Sequence, residues 1–105
     1  MRFRSNNCVA VHLKSLAQAE HFYGDVLGFR LKGKTKGSLE FDTGNFRLFV
    51  NRSKKVQAPI PSFSVKNIAK AKRLLKGAGC HIIVDRGGSL YFRDPFGIVF
   101  DVIEE

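Results

Sequence analysis

Residues 13–19 read LKSLAQA and residues 65–71 read VKNIAKA. The two phrases begin 52 residues apart in a chain of 105, so one half of the sequence restates the other. The same offset pairs Val11 with Phe63, Leu13 with Val65, Leu16 with Ile68, Phe22 with Leu74 and Tyr23 with Leu75. Farther on it pairs Phe46 with Ile98, Leu48 with Phe100 and Val50 with Val102. Apolar meets apolar at each position. A register kept from residue 11 to residue 50 marks an internal duplication. Neither copy buries its sheet face alone, so the two must pack together.

Each copy reads strand, helix, strand, strand, strand. NCVAVHL (7–13) is rich in β-branched residues, the signature of a strand. Ser15 is placed to cap a helix, with Gln18 at capping-box spacing. Leu16, Ala19, Phe22, Tyr23, Val26 and Leu27 then recur at helical period, and Gly28 ends the helix. FRLKGKTK, SLEFDTG and NFRLFVN follow as strands, the last two joined by a tight turn at Gly44 and Asn45. The polar, proline-bounded segment 52–59 reads as a linker. The scheme restarts with SFSVKN, a helix capped by Asn67 with a stripe of Ile68, Ala71, Leu74 and Leu75, and strands CHIIVD, SLYFR and IVFDVI. DPFG (94–97) makes the turn before the last strand. The fold class expected is α+β, one domain of two βαβββ units at about 6–51 and 60–105.

The length suits one hydrophobic core, and no apolar run reaches the roughly 18 residues that a membrane span needs. MRFRSNN lacks the apolar stretch of a signal peptide, so the expected location is the cytoplasm. Cys8 and Cys80 show no metal-type spacing and make no disulfide framework. Eighteen Lys and Arg against nine Asp and Glu give a net charge of +9, which favours anionic partners. No DNA- or RNA-binding motif accompanies that charge, so nucleic acid is not the expected partner.

AEHFYGDVLGF (19–29) and LYFRDPFGIVFDVIE (90–104) resemble the two signature stretches of the vicinal oxygen chelate superfamily. That group includes glyoxalase I, bleomycin-resistance and fosfomycin-resistance proteins and extradiol dioxygenases. The resemblance implies that the paired units curl into a U-shaped crevice. In catalytic members a divalent metal sits there, usually on His, Gln and Glu. Carried over residue by residue, the ligand positions are Cys8 and Phe49 in the first copy and Ile60 and Asp101 in the second. Phe49 and Ile60 have no lone pair to give. The expectation is therefore no metal, no cofactor and no catalytic residue. Were an ion bound, Cys8, His12 and Asp101 would be its donors.

Strand alternation assigns the crevice face to Cys8, Ala10 and His12, to Arg47 and Phe49, to Ile60, Ser62 and Ser64, to Ser89, Tyr91 and Arg93, and to Val99, Asp101 and Ile103. Of these, Cys8, His12, Arg47, Phe49, Ile60, Ser62, Ser64, Tyr91, Arg93 and Asp101 are the expected ligand-binding residues. Asp101, between Phe100 and Val102, needs a partner, and Arg93, Arg47 or His12 is expected to supply it. The function expected is a metal-free protein of the glyoxalase and bleomycin-resistance kind, binding a small neutral or anionic molecule in the crevice of a homodimer. The alternative is a divalent-metal-dependent lyase, isomerase or dioxygenase with a divergent ligand set.

Overall fold

A computed structural model describes residues 1–105. Eight strands and two helices alternate as the duplication requires: β1 (Arg4–Leu13), α1 (Leu16–Ala19, continued over Glu20–Val26), β2 (Arg30–Lys34), β3 (Ser38–Asp42), β4 (Arg47–Arg52), β5 (Gln57–Val65), α2 (Ile68–Gly77), β6 (His81–Asp85), β7 (Ser89–Arg93) and β8 (Val99–Glu104). The fold is α+β, in two βαβββ units. The chain divides into two compact units, Asn7–Pro59 and Met1–Asn6 with Ile60–Glu105. The opening residues thus belong with the second unit, where Phe3 packs on the core. β5 begins at Gln57, inside the stretch that composition marks as a linker.

In the first unit the strand order is β2-β3-β4-β1, and in the second β6-β7-β8-β5. β1 runs parallel to β4, and β5 runs parallel to β8. The other pairs are antiparallel. One face of each sheet is apolar and carries the helix. In the first unit Val11, Leu39, Phe41, Leu48 and Val50 bury with Ala19 of the helix. In the second, Val65, Leu90, Phe92 and Val102 bury with Ala71 and Leu75.

Both helices start as expected. The Ser15 hydroxyl accepts from the Gln18 amide at 3.2 Å, and the Asn67 side chain accepts from the Lys70 amide at 3.0 Å. They end differently. α1 is one α-helical turn, Leu16–Ala19, continued as a π-helix over Glu20–Val26, whereas α2 is α-helical throughout. Each closing bond of α1 spans one residue more than its counterpart. Leu27 N–H donates to Phe22 where Ala78 donates to Leu74. Gly28 donates to Gly24 where Gly79 donates to Lys76, and Phe29 donates to Tyr23 where Cys80 donates to Leu75. Gly28 and Gly79, with φ of 80° and 92°, make the same left-handed exit from the helix, but 51 residues apart.

The π-helix therefore absorbs one inserted residue between Tyr23 and Gly28. Beyond it the offset stays at 51: β2 matches β6 and β3 matches β7, down to a register irregularity in both β2 and β6. The 94–98 turn, one residue longer than 43–46, restores 52, and β4 matches β8. The uniform 52-residue register read from sequence is thus interrupted between its two conserved ends. The insertion also rotates the end of α1. Leu16, Ala19 and Tyr23 pack on the sheet as the stripe requires. Phe22, Val26 and Leu27, placed on the same stripe by period, stand about half exposed instead. No helix is long and apolar enough to cross a membrane.

Candidate functional site

Opposite the apolar face, each sheet carries a mixed one. On the second unit, Ser62 of β5 stands beside Asp101 of β8, which stands beside Tyr91 of β7. Neighbouring strands in register place three polar side chains in one row across the sheet. Ser62 is the only buried polar residue in the chain.

The row is wired. Asn6 donates from its side-chain amide to the Ser62 hydroxyl at 2.7 Å, and that hydroxyl donates to Asp101 Oδ2 at 2.8 Å. The Arg86 guanidinium, from the turn between β6 and β7, lies 4.8 Å from the centre of the Tyr91 ring. That distance is a cation–π contact. Desolvation raises the Asp101 carboxyl above the usual carboxylate range. The Ser62 hydrogen bond, the Arg86 charge and the Val102 amide oppose it without cancelling it. Desolvation also raises the Tyr91 phenol, the Asp101 charge adds to this, and Arg86 opposes. The site thus holds a desolvated carboxyl and a desolvated phenol, each raised above its ordinary range, beside a permanent cation stacked on an aromatic ring.

This corrects one expectation. Arg93, Arg47 or His12 was to hold Asp101, yet its hydrogen-bond donor is Ser62 and the cation acting on it is Arg86. Arg47 instead pairs with Glu40, at 2.5 Å from Nη1 to Oε2. Arg93 ends β7 as an exposed residue. Ile60 shares the face of Ser62 and is 3% exposed, an apolar wall. Ser64, one step along, donates to the Glu105 carboxylate.

On the first unit the expected residues also share one face. Cys8 stands beside Arg47, and Ala10 beside Phe49, with Glu40 on the other flank of Phe49. His12 is next along β1, opposite Asn51.

Asn6 and Arg86 were not legible as site residues. Asn6 lies two residues before Cys8, on the same alternation, but the sequence places the strand's start at Asn7. Asn7 itself has φ 58°, so β1 is irregular there. Arg86 belongs to a turn, where alternation assigns no face. Its Gly87–Gly88 flank marks a tight turn but not its direction.

A divalent ion of the kind the resemblance implies does not fit these residues. Phe49 and Ile60 offer no donor at two of the four positions. No three His, Cys, Asp or Glu side chains gather to hold an ion. Asp101 already accepts the Ser62 proton. Oxygen-seeking cations need about six ligands, and thiolate or imidazole sites need three or four.

A family model described as Glyoxalase/Bleomycin resistance protein/Dioxygenase superfamily matches residues 7–102. The chain is similar in structure to an extradiol ring-cleaving dioxygenase from B. fuscum, with a TM-score of 0.76, 19% identity and 98% of this chain covered. It is similar to homoprotocatechuate 2,3-dioxygenase from Brevibacterium fuscum in an anaerobic complex with 3,4-dihydroxyphenylacetate, with a TM-score of 0.77 and 19% identity. There too 98% of this chain is covered. The chain spans only 33% and 37% of the two dioxygenase chains. At this identity the likeness concerns fold. No curated protein sequence matches the chain.

Proposed function

We propose a function from one premise: the chain belongs to the Glyoxalase/Bleomycin resistance protein/Dioxygenase superfamily. Its role in that superfamily is to bind a small neutral or anionic molecule without a metal. The observation that carries this reading is the hydrogen-bonded row Asn6–Ser62–Asp101, next to Tyr91 and Arg86. Asp101 occupies a ligand position of the resemblance, yet its carboxylate is committed to a hydroxyl and desolvated. A desolvated carboxyl makes stronger hydrogen bonds than one in water. Beside it, Arg86 offers donors to an oxygen of the ligand, and the Tyr91 ring offers a flat apolar surface. Mostly apolar walls with a few placed polar groups suit a small planar molecule. The basic surface disfavours a cationic one.

Cys8, His12, Arg47 and Phe49 belong to the same proposal as the polar face of the first unit, and Ile60, Ser64 and Arg93 border the row on the second. The protein is further proposed to act as a homodimer. The edge strand β2 is blunted by Arg30, Lys32 and Lys34 and disfavours a seam. The exposed Phe22, Val26 and Leu27 of α1 are the better candidates for burial. Light scattering reads the dimer directly.

The test of binding is an amide-resolved NMR screen with small aromatic carboxylates, phenols and amines. Carboxylates or phenols should shift Ser62, Tyr91 and Asp101, and Tyr91→Ala should abolish those shifts. Shifts confined to other surfaces, or binding of amines alone, would contradict the reading.

A further inference from the structure

The duplication allows one unit to serve as a control for the other. In the second unit the last residues of β8 bring carboxylates to the end of β5. Val65 and Glu104 are register partners, and the Glu105 amide donates to Val65 at 2.9 Å. The Glu104 side chain accepts from the Ile68 amide at 2.8 Å. Lys66 and Glu105 line one cleft. Two carboxylates thus stand past the end of β5, Glu104 on the Ile68 amide and Glu105 in a cleft with Lys66, Arg2 and Arg4.

The first unit repeats this backbone with the opposite charge. Leu13 and Arg52 are register partners, and the Ser53 amide donates to Leu13 at 2.8 Å. Arg52 N–H donates to Gly37 and Glu104 N–H to Gly88, each at 2.9 Å. So Lys14 stands where Lys66 stands, Arg52 where Glu104 stands, and Ser53 where Glu105 stands. Two adjoining clefts share Lys14 and Arg52, one bounded by Ser53 and Lys54, the other by Lys36, Thr35 and the Lys34–Glu20 ion pair. The larger has a volume of about 500 Å³. The ion pairs of the chain are His21–Asp25, Lys34–Glu20, Arg47–Glu40 and Lys72–Asp85, so none engages Lys14, Lys36, Arg52 or Lys54. Glu20, the one carboxylate in these clefts, is spent on Lys34.

Four cations crowd a place where the sister unit supplies two carboxylates. We propose that this cleft binds an external oxyanion, a phosphate group borne by a small molecule or free in solution. Lys14 and Arg52 hold it, with Lys36 and Lys54 as flanking charges. Arg52 supplies paired donors for a tetrahedral oxyanion, and the lysines act as point charges. Every residue in the site belongs to the first unit.

The probe is inorganic phosphate, titrated at constant ionic strength and followed by amide shifts. Saturable shifts at Lys14, Lys36, Ser53 and Lys54 are expected. Arg52→Gln should weaken them by roughly tenfold, the loss of one charged donor. Arg52→Glu should abolish them and raise the midpoint of thermal unfolding, because it restores an internal carboxylate as in the second unit. Phosphate should raise the midpoint of the unaltered protein but not that of Arg52→Glu. Shifts that fail to saturate, or that centre on Lys66–Lys76, would overturn the proposal. So would an unchanged phosphate affinity in Arg52→Glu. Displacement of phosphate by a single-stranded oligonucleotide, with affinity falling steeply in salt, would also overturn it in favour of a nucleic-acid partner.

Discussion

Phe41→Ala lowers the stability of the protein by about 3–5 kcal/mol, the range for emptying a fully enclosed aromatic site. Phe41 is 0% exposed and sits at the centre of the first unit's core. Its ring meets Tyr23 at a centroid distance of 6.0 Å. Gly24 also faces the ring, at a distance where a Cβ would make an ordinary contact of 3.6 Å. Tyr23 and Gly24 lie in the π-helical segment, which continues from the Ser15-capped turn and ends at the Gly28 exit. Backbone so constrained closes poorly over a cavity, which places the effect toward the upper part of the range. Chemical denaturation of both proteins measures it. A loss below about 1 kcal/mol would show that α1 shifts freely to fill the gap.

The second large effect concerns the wired row. Ser62→Ala removes the hydroxyl that donates to Asp101, at an expected cost of about 1–3 kcal/mol near neutral pH. Asp101→Asn has the opposite effect. The folded carboxyl is raised above its unfolded value, so its contribution is fully present below the unfolded pKa and lost as pH rises through the folded one. An amide carries no such penalty and can still accept from Ser62. Asp101→Asn should therefore stabilise the protein at pH 7, with the gain shrinking toward zero as pH falls below about 3.9. Combined with Asp101→Asn, Ser62→Ala should cost less than it does alone, because no charge remains to be stranded. Urea unfolding of the four proteins at two pH values reads all of this. A Ser62→Ala cost that does not depend on residue 101 would break the link.

The fold was legible because duplication prints the same apolar pattern twice. Leu13, Leu16 and Tyr23 in one copy and Val65, Ile68 and Leu75 in the other each locate a core position. The inserted residue in α1 was not legible. Phe22, Val26 and Leu27 fit a helical stripe by spacing, and spacing assumes a constant angle per residue. One wider turn breaks that assumption without changing any residue type. The site was legible to the extent that strands alternate: Ser62, Tyr91 and Asp101 fell on one face as expected. What completes the row came from an irregular strand start, Asn6, and from a turn, Arg86, where no period operates. For Asp101 the sequence points to an arginine or His12, and the structure gives it a neighbouring hydroxyl, Ser62, together with the charge of an arginine from a turn, Arg86. Register across β5 and β8 decides this, and sequence alone does not print it.

The measurement that bears most directly on a metal-free site is the metal content of the native purified protein, by elemental mass spectrometry, before and after Asp101→Asn. The account predicts far less than one zinc, iron, manganese or nickel ion per chain in both proteins. A stoichiometric ion in the unaltered protein that is lost with Asp101→Asn would contradict it and restore the enzyme reading.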